Sequence, residues 1–242
     1  MVSHGAANGG GVRTRILLAV LALAAGTALA ACGSSTTPTD PSTTIPVRFT
    51  ETVTVPTTTV PTPTPTSYTG PDGVPIETGP FLARATTTHL GRIIDGIQCQ
   101  GLRQLAYRTY VHLQVYVRGE SRAIPGGIGL VDPAVTPTRK GLIFSAHACY
   151  YWLHTRAADG LIQVESPNDR TYKLGDLFKV WSQRLDRDHV AANTGKVTAI
   201  VNGRRWRGNP SRIPLIEHES IELAVGKPVP AYRGVDWTGT GF

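Results

Sequence analysis

The sequence predicts an α+β domain, an antiparallel or mixed β-sheet covered by one amphipathic helix. Three observations carry this expectation. Residues 107–118 alternate apolar and polar with period two. Leu174, Leu177, Phe178 and Trp181 recur at the spacing of one helix face. Asn202-Gly203 stands between two short β-type runs, the strongest local signal for a two-residue hairpin turn.

Taken in order, Val111, Leu113, Val115 and Val117 share one face of the first long strand, and Arg108, Tyr110, His112, Gln114 and Tyr116 share the other. This is the pattern of a half-buried strand. Arg118, Gly119 and Glu120 turn the chain, and Ala123 to Ile128 is expected to return it. The glycines at 126 and 127 are followed by no Gly-Lys-Ser/Thr, so they read as a turn and not as a phosphate loop. Residues 142–153 form a second apolar and aromatic strand, Asp159-Gly160 marks its hairpin, and Leu161 to Glu165 returns. Leu153, Ile162 and Val164 then point to the core, while His154, Arg156, Gln163 and Glu165 share the opposite face. The helix spans roughly 173–183, with its aromatic stripe packed on the sheet. Lys196 to Val201 and Arg204 to Arg207 flank the Asn202-Gly203 turn, and Ile221, Leu223 and Val225 alternate in a last strand. The two strands, the helix and the further strands from 142 to 226 form a β-grasp-like order. The tail from Pro228 to Phe242 reads as a surface strap docked by Trp237.

The chain has 242 residues and divides by composition into three parts. Residues 1–31 carry Arg13 and Arg15 ahead of an almost wholly small or apolar run from Ile16 to Ala31, the pattern of a secretory signal. That run is shorter than the roughly 20 apolar residues of a spanning helix, and Gly26 and Thr27 interrupt it. Residues 32–68 are Thr, Pro and Ser with few large apolar side chains, a composition that cannot bury enough surface to fold. Prolines at 56, 61, 63 and 65 stiffen this tether towards an extended form. Residues 69–242 suit a single globular domain.

Leu29-Ala30-Ala31-Cys32 ends the apolar run. The segment resembles the lipobox of bacterial prolipoproteins, a leucine and two small residues before cysteine. The resemblance implies a thioether lipid on Cys32, cleavage before it, and acylation of the new amino terminus. It further implies an exported protein held at the outer face of the cell membrane. Each buried acyl CH₂ contributes roughly 0.8 kcal/mol, so two or three chains anchor a protein stably where one does not.

With Cys32 assigned to lipid, Cys99 and Cys149 remain in the folded part of an exported chain. A disulfide is the expected pairing, with two buried thiols as the alternative. It would close a loop worth roughly 3–4 kcal/mol in the chain-entropy model. Formal charge is +7, falling to +5 once the signal is removed. This mild, diffuse basicity suits anionic cell-wall polymers, lipid headgroups or an acidic envelope protein. It does not make a nucleic-acid footprint, and export argues against one. Arg204, Arg205, Arg207 and Arg212 cluster around the Asn202-Gly203 hairpin with Trp206 among them, a basic tip of the kind that meets such polymers.

Candidate site residues fall on the polar face of the first strand and of the 149–165 hairpin: Tyr110, His112, His154, Arg156, Gln163 and Glu165. Arg156 is expected to pair with Glu165 across the hairpin. With Gln114 and Tyr116, the face reads as a polar aromatic groove for an anionic or sugar ligand, or as a satisfied surface network. The stretch Leu-His-Thr-Arg-Ala-Ala-Asp-Gly-Leu-Ile-Gln-Val-Glu resembles an uncharacterised group of exported bacterial proteins. Their hairpin reads Leu-His-Thr-His, turn, Ile-His-Ile-Glu, after a His-x-His-x-His strand. The resemblance spans about 95–226 and implies a fold relationship and no reaction. Interdigitated histidines of that kind suit copper or zinc. Here Arg108, Tyr110, Arg156 and Gln163 stand where histidines would be, leaving only His112 and His154. No cofactor is expected, and a degenerate copper or zinc site at these two histidines is the alternative. His147 reads as structural, and Glu217-His218-Glu219 as a solvated approach to the last strand. A catalytic set built on Ser145 with His147, or Cys149 with His154, has no supporting motif. The functional expectation is a lipid-anchored surface protein with a non-enzymatic binding or structural domain.

Overall fold

The computed structural model describes residues 68–76, 78–86 and 88–242, all within the compact unit Pro61–Phe242. The signal, Cys32 and the tether as far as residue 67 lie outside the described residues. In chain order the elements are β1 (Cys99–Gln100), β2 (Tyr107–Val117), β3 (Glu120–Arg122), β4 (Leu130–Thr138), β5 (Gly141–Tyr151), β6 (Leu153–His154), β7 (Leu161–Ser166), α1 (Leu174–Val180), β8 (His189–Val190), β9 (Asn193–Thr194), β10 (Val197–Val201), β11 (Arg204–Trp206) and β12 (Ser220–Val225). The protein is α+β, with antiparallel and mixed sheets and one α-helix among the described residues.

The main sheet runs β11-β10-β12-β2-β7-β6, with β3 also paired to β2. β2 is antiparallel to β7 and parallel to β12, and β10 is antiparallel to both β11 and β12. Parallel neighbours need a long crossover, and the chain makes it through α1 and the β10–β11 hairpin. A first antiparallel pair (β2 and β7), a helix, a second pair and a last strand returning parallel to the first is a β-grasp order, with β2 in the place that the sequence reading gave to 142–153. Both tight turns use left-handed residues, Arg118-Gly119 (φ 53° and 84°) and Asn202-Gly203 (φ 47° and 77°), the geometry whose twist matches the flanking strands.

α1 covers seven residues rather than the eleven expected. The Lys173 N–H donates to Asp176 Oδ2 at 2.9 Å, closing its first turn. Leu174, Leu177, Phe178 and Trp181 are all buried, in one cluster with Val111, Leu113, Val115 and Leu223 from the sheet. The Trp181 indole N–H donates to the Arg84 carbonyl at 2.6 Å, so the preceding segment is tied under the helix.

Two expectations need correction. The 142–153 strand is not the hairpin partner of 161–165. It splits at Trp152: β5 pairs with β4 and β1 in a separate three-stranded sheet, and only Leu153 and His154 pair with β7, opposite Val164 and Gln163. β4 escaped the sequence reading because it contains Pro133 and Pro137. Prolines are tolerated there because β4 is an edge strand, with a bulge between Val131 and Pro133. The return after Gly119 is β3, not Ala123–Ile128, which runs buried towards β4.

β2 is also not half-buried. Every residue from Val111 to Tyr116 is buried, so over this stretch both faces are covered, and on the polar face only Arg108 and Tyr110 at the start of the strand reach solvent. Part of the cover is the carboxy-terminal strap. Arg233 and Gly234 donate backbone N–H groups to Glu222 Oε1 at 2.8 and 3.2 Å, and the Val235 N–H donates to Ser220 Oγ at 3.0 Å. Trp237 stacks on His218 with ring centroids 4.9 Å apart, and Phe242 meets Tyr110 at 4.3 Å. Cys99 and Cys149 form a disulfide that fastens β1 to the end of β5.

Candidate functional site

The register assembles the candidate face from three strands. Tyr110 on β2 lies opposite Gln163 on β7, which lies opposite His154 on β6. Arg108 is opposite Glu165, and His112 opposite Leu161. Register partners share a face, so Tyr110, His112, His154, Gln163 and Glu165 come to one side of one sheet, while Arg156 lies in the β6–β7 connection outside the register. Four of them, His112, His154, Gln163 and Glu165, are buried, while Tyr110 and Arg156 are half-buried. The structure makes this face an internal polar seam and not an open groove.

Main chain closes the seam at two glycines. A Cβ on Gly129 would stand 2.3 Å from the Leu153 carbonyl oxygen and 3.1 Å from His154 Cβ. One on Gly160 would stand 2.5 Å from the Leu113 carbonyl oxygen and 3.0 Å from His112 Nε2. Only residues without a side chain let backbone lie this close over two histidines.

Hydrogen bonds inside the seam fix its chemistry. His112 Nε2–H donates to the Asp159 carbonyl (3.0 Å), and His154 Nδ1–H donates to the Tyr151 carbonyl (2.9 Å). Burial holds each imidazole neutral, with its pKa pushed down to about 4. His154 Nε2 is 3.7 Å from Glu165 Oε2, too long for a hydrogen bond. The partner of Glu165 is Arg103, not Arg156. Arg103 Nε donates to Oε2 at 2.6 Å, and its terminal nitrogen bonds Oε1, a bidentate fork. Among the described residues, neither amide atom of Gln163 has a hydrogen-bond partner, nor has His154 Nε2. Sequence reading missed Arg103 because its segment has no periodicity to place it. The available signal was the lone buried-face carboxylate at Glu165, which needs a cation from somewhere.

Asp72 and Asp159 form a second feature that the pattern did not disclose. Asp159 sits under the 70–72 turn, with its carboxylate accepting from the Leu161 N–H at 3.2 Å. Burial, then the nearby Asp72 carboxylate, raises its pKa to about 7, and burial raises that of Asp72 too. Between about pH 4 and 7 the folded chain therefore holds a proton that the unfolded chain has lost. This contribution to stability is present below pH 4 and disappears as pH climbs through 7. The two histidines act in the opposite sense: their contribution is present above about pH 6.5 and is lost as pH falls through 4. The advantage of Asp159→Asn over the parent is accordingly expected to be about 2–3 kcal/mol larger at pH 8 than at pH 5. The raised pKa sets a ceiling of about 4 kcal/mol. Urea titrations at the two pH values test this, and equal offsets at both would contradict it.

His112 and His154 lie on strands separated by β7 and are offset by two positions along it, and each ring is tied to a different carbonyl. Among the described residues no three His, Cys, Asp or Glu side chains are arranged to hold a metal ion. The Cys149 thiol is consumed by the disulfide, and His147 is exposed on β5, 3.6 Å from Asp132. Glu217 is more than a solvated charge: it accepts from the Tyr110 N–H at 2.8 Å, and the His218 N–H donates to the Tyr110 carbonyl at 2.8 Å.

Surface clefts lie elsewhere. One of about 430 Å³ lies beside the β10–β11 hairpin, lined by Arg187, Lys196, Arg205, Arg207 and Trp206, with Asp188 as its one acidic lining residue among those described. A neighbouring cleft of about 510 Å³ shares Lys196 and Arg205 and adds Lys227. Arg205 and Arg207 are exposed, and the Trp206 indole N–H is satisfied by the Asn209 carbonyl at 3.2 Å. No known protein family, curated protein or solved structure matches this chain. The fold and site together define an α+β domain of β-grasp order with a sealed polar seam and a basic cleft at one sheet edge.

Proposed function

We propose that this chain is a lipid-anchored, exported surface protein whose domain binds an anionic polymer of the cell envelope without catalysing a reaction. Cys32 carries the lipid, the Thr/Pro segment spaces the domain from the membrane, and the binding surface is the edge of the main sheet at β10–β11. The observation that carries the reading is the basic cleft, where four cations surround Trp206 and face a single described carboxylate. An aromatic face flanked by guanidinium groups suits repeating phosphate or carboxylate units. Anchoring rests on the lipobox at Leu29-Ala30-Ala31-Cys32. No helix among the described residues is long and apolar enough to cross a membrane. A non-catalytic role is supported by the seam, whose two histidines are neutral, covered and already bonded to backbone.

The test has two arms. Cys32→Ala is expected to move the protein from the detergent phase to the aqueous phase while the domain stays folded. Arg205→Glu/Arg207→Glu in the anchored protein is expected to weaken retention on purified anionic wall polymer about tenfold, on the scale of two exposed charge contacts. The parent's retention should decline steeply with salt. Retention of the double variant equal to the parent's would remove the basic cleft from the account.

A further inference from the structure

A second kind of cleft opens between the β4–β5 hairpin and side chains between Pro71 and Ala85. It has about 390 Å³ and is walled by Pro71, Ile76, Phe81, Leu142 and Phe144. A second cleft of about 310 Å³ shares Ala85, Gly126 and Phe144 with it and continues towards Leu90. Large apolar side chains at its margin are open to solvent: Phe81 is 59% exposed, Leu142 50% and Leu90 75%. Apolar surface left uncovered in one contiguous place marks an interaction site. The volume lies in the range of small-ligand pockets.

The charge at the rim says which ligand. Arg84 and Lys140, both exposed, line the larger cleft, and none of its described lining residues is acidic. An apolar slot with two cations at its edge matches one molecule that is apolar along its length and anionic at one end. A second copy of this positively charged chain would bring like charge to the rim.

We propose that this groove is a binding site for a single-chain anionic amphiphile, an acyl chain ending in a carboxylate or phosphate, taken up as a monomer. The chain lies along Phe81, Leu142 and Phe144, and the head meets Arg84 and Lys140. The site is separate from the basic cleft at β10–β11 and does not depend on the anchor at Cys32.

The experiment uses the full mature protein and a fluorescent fatty acid with an environment-sensitive label, displaced by unlabelled competitors. Saturable one-to-one binding is expected. Affinity should rise about fourfold per added methylene (about 0.8 kcal/mol) until the groove is filled. The fatty acid should compete at least tenfold better than the alcohol or the trimethylammonium amphiphile of equal length. Leu142→Glu, at an exposed position, should abolish binding, and Phe81→Glu should do the same if the first variant proves misfolded. Arg84→Glu/Lys140→Glu should keep the dependence on chain length and lose the preference for the anion. Unchanged binding in Leu142→Glu, equal competition by the cationic amphiphile, or adsorption only to anionic vesicles with no monomer binding would each overturn the proposal. None of these three outcomes bears on Cys32→Ala, so failure here is distinguishable from failure of the anchoring account.

Discussion

Replacing Cys99 and Cys149 together with alanine is expected to cost about 4 kcal/mol of stability. The two residues are 50 apart, and closing a loop of that length removes about that much conformational freedom from the unfolded chain. For a domain of this size the loss corresponds to a fall in Tm of about 8–16 °C. The position of the bridge makes the effect more than entropic. It holds β1 on β5, where the Trp152 indole N–H donates to Gln100 Oε1 at 2.7 Å and the Trp152 N–H reaches the Gln98 carbonyl at 3.3 Å. The same segment runs on directly to Arg103. Loosening β1 therefore loosens the guanidinium that Glu165 requires, and the cysteine and arginine substitutions should be coupled and not additive. Urea unfolding of the oxidised parent, the reduced parent and the double alanine variant measures this. A loss under about 1 kcal/mol would mean that other contacts alone hold the 91–106 segment in place.

Arg103→Ala is the second large effect, expected at about 3 kcal/mol. Glu165 is only 1% exposed, whereas Arg103 is 31% exposed. Removing the cation leaves a desolvated carboxylate without its fork, the costly way to break a buried pair. Residual solvent at the arginine end keeps the value at the lower end of the usual 3–5 kcal/mol. Removing the other partner should be cheaper. In Glu165→Gln the guanidinium can turn towards water, so about 1–2 kcal/mol is expected. Arg103→Lys should fall between, because a point charge replaces a bidentate donor. The order Arg103→Ala, then Arg103→Lys, then Glu165→Gln is the signature of a carboxylate buried by the fold. Equal costs for all three would indicate an ordinary surface pair.

Much of the framework was legible because it is local. Period-two alternation placed β2, a stripe at three and four residues placed α1, and Asn202-Gly203 placed the β10–β11 hairpin, whereas the turn after β2 was placed without its return strand β3. Two cysteines in the folded domain had one intramolecular way to pair. The rest depended on contacts between segments far apart in sequence. Nothing near residue 103 announces that its side chain meets Glu165, 62 residues later. Arg156 was the nearer cation and the natural expectation, but it lies past the split at Trp152 that separates β5 from β6. Polar residues at 112, 154 and 163 looked like an outward face because polarity usually means exposure. Their burial comes from glycine backbone at 129 and 160 and from a strap ending at Phe242, and alternation within one strand carries no information about either. The apolar groove is built from five separate stretches, none of which is unusual alone.

The two chemistries of the surface are spatially and electrically distinct. The β10–β11 edge is cationic around one aromatic residue. The groove beside the β4–β5 hairpin is apolar with two cations at its margin. Both suit an anionic environment, and both are reached from solvent, unlike the histidines. This contrast moves the search for ligands away from the sealed seam, where the residue types first drew attention, to the edges of the two sheets.

The proposed anchored, outward-facing arrangement underlies the proposed function, and the intact mass of the protein purified from fractionated native cells tests it most directly. The account predicts a chain that begins at Cys32 and carries a diacylglyceryl thioether with an acylated amino terminus. A chain beginning at Met1, bearing no lipid and recovered from the soluble interior of the cell, would contradict it.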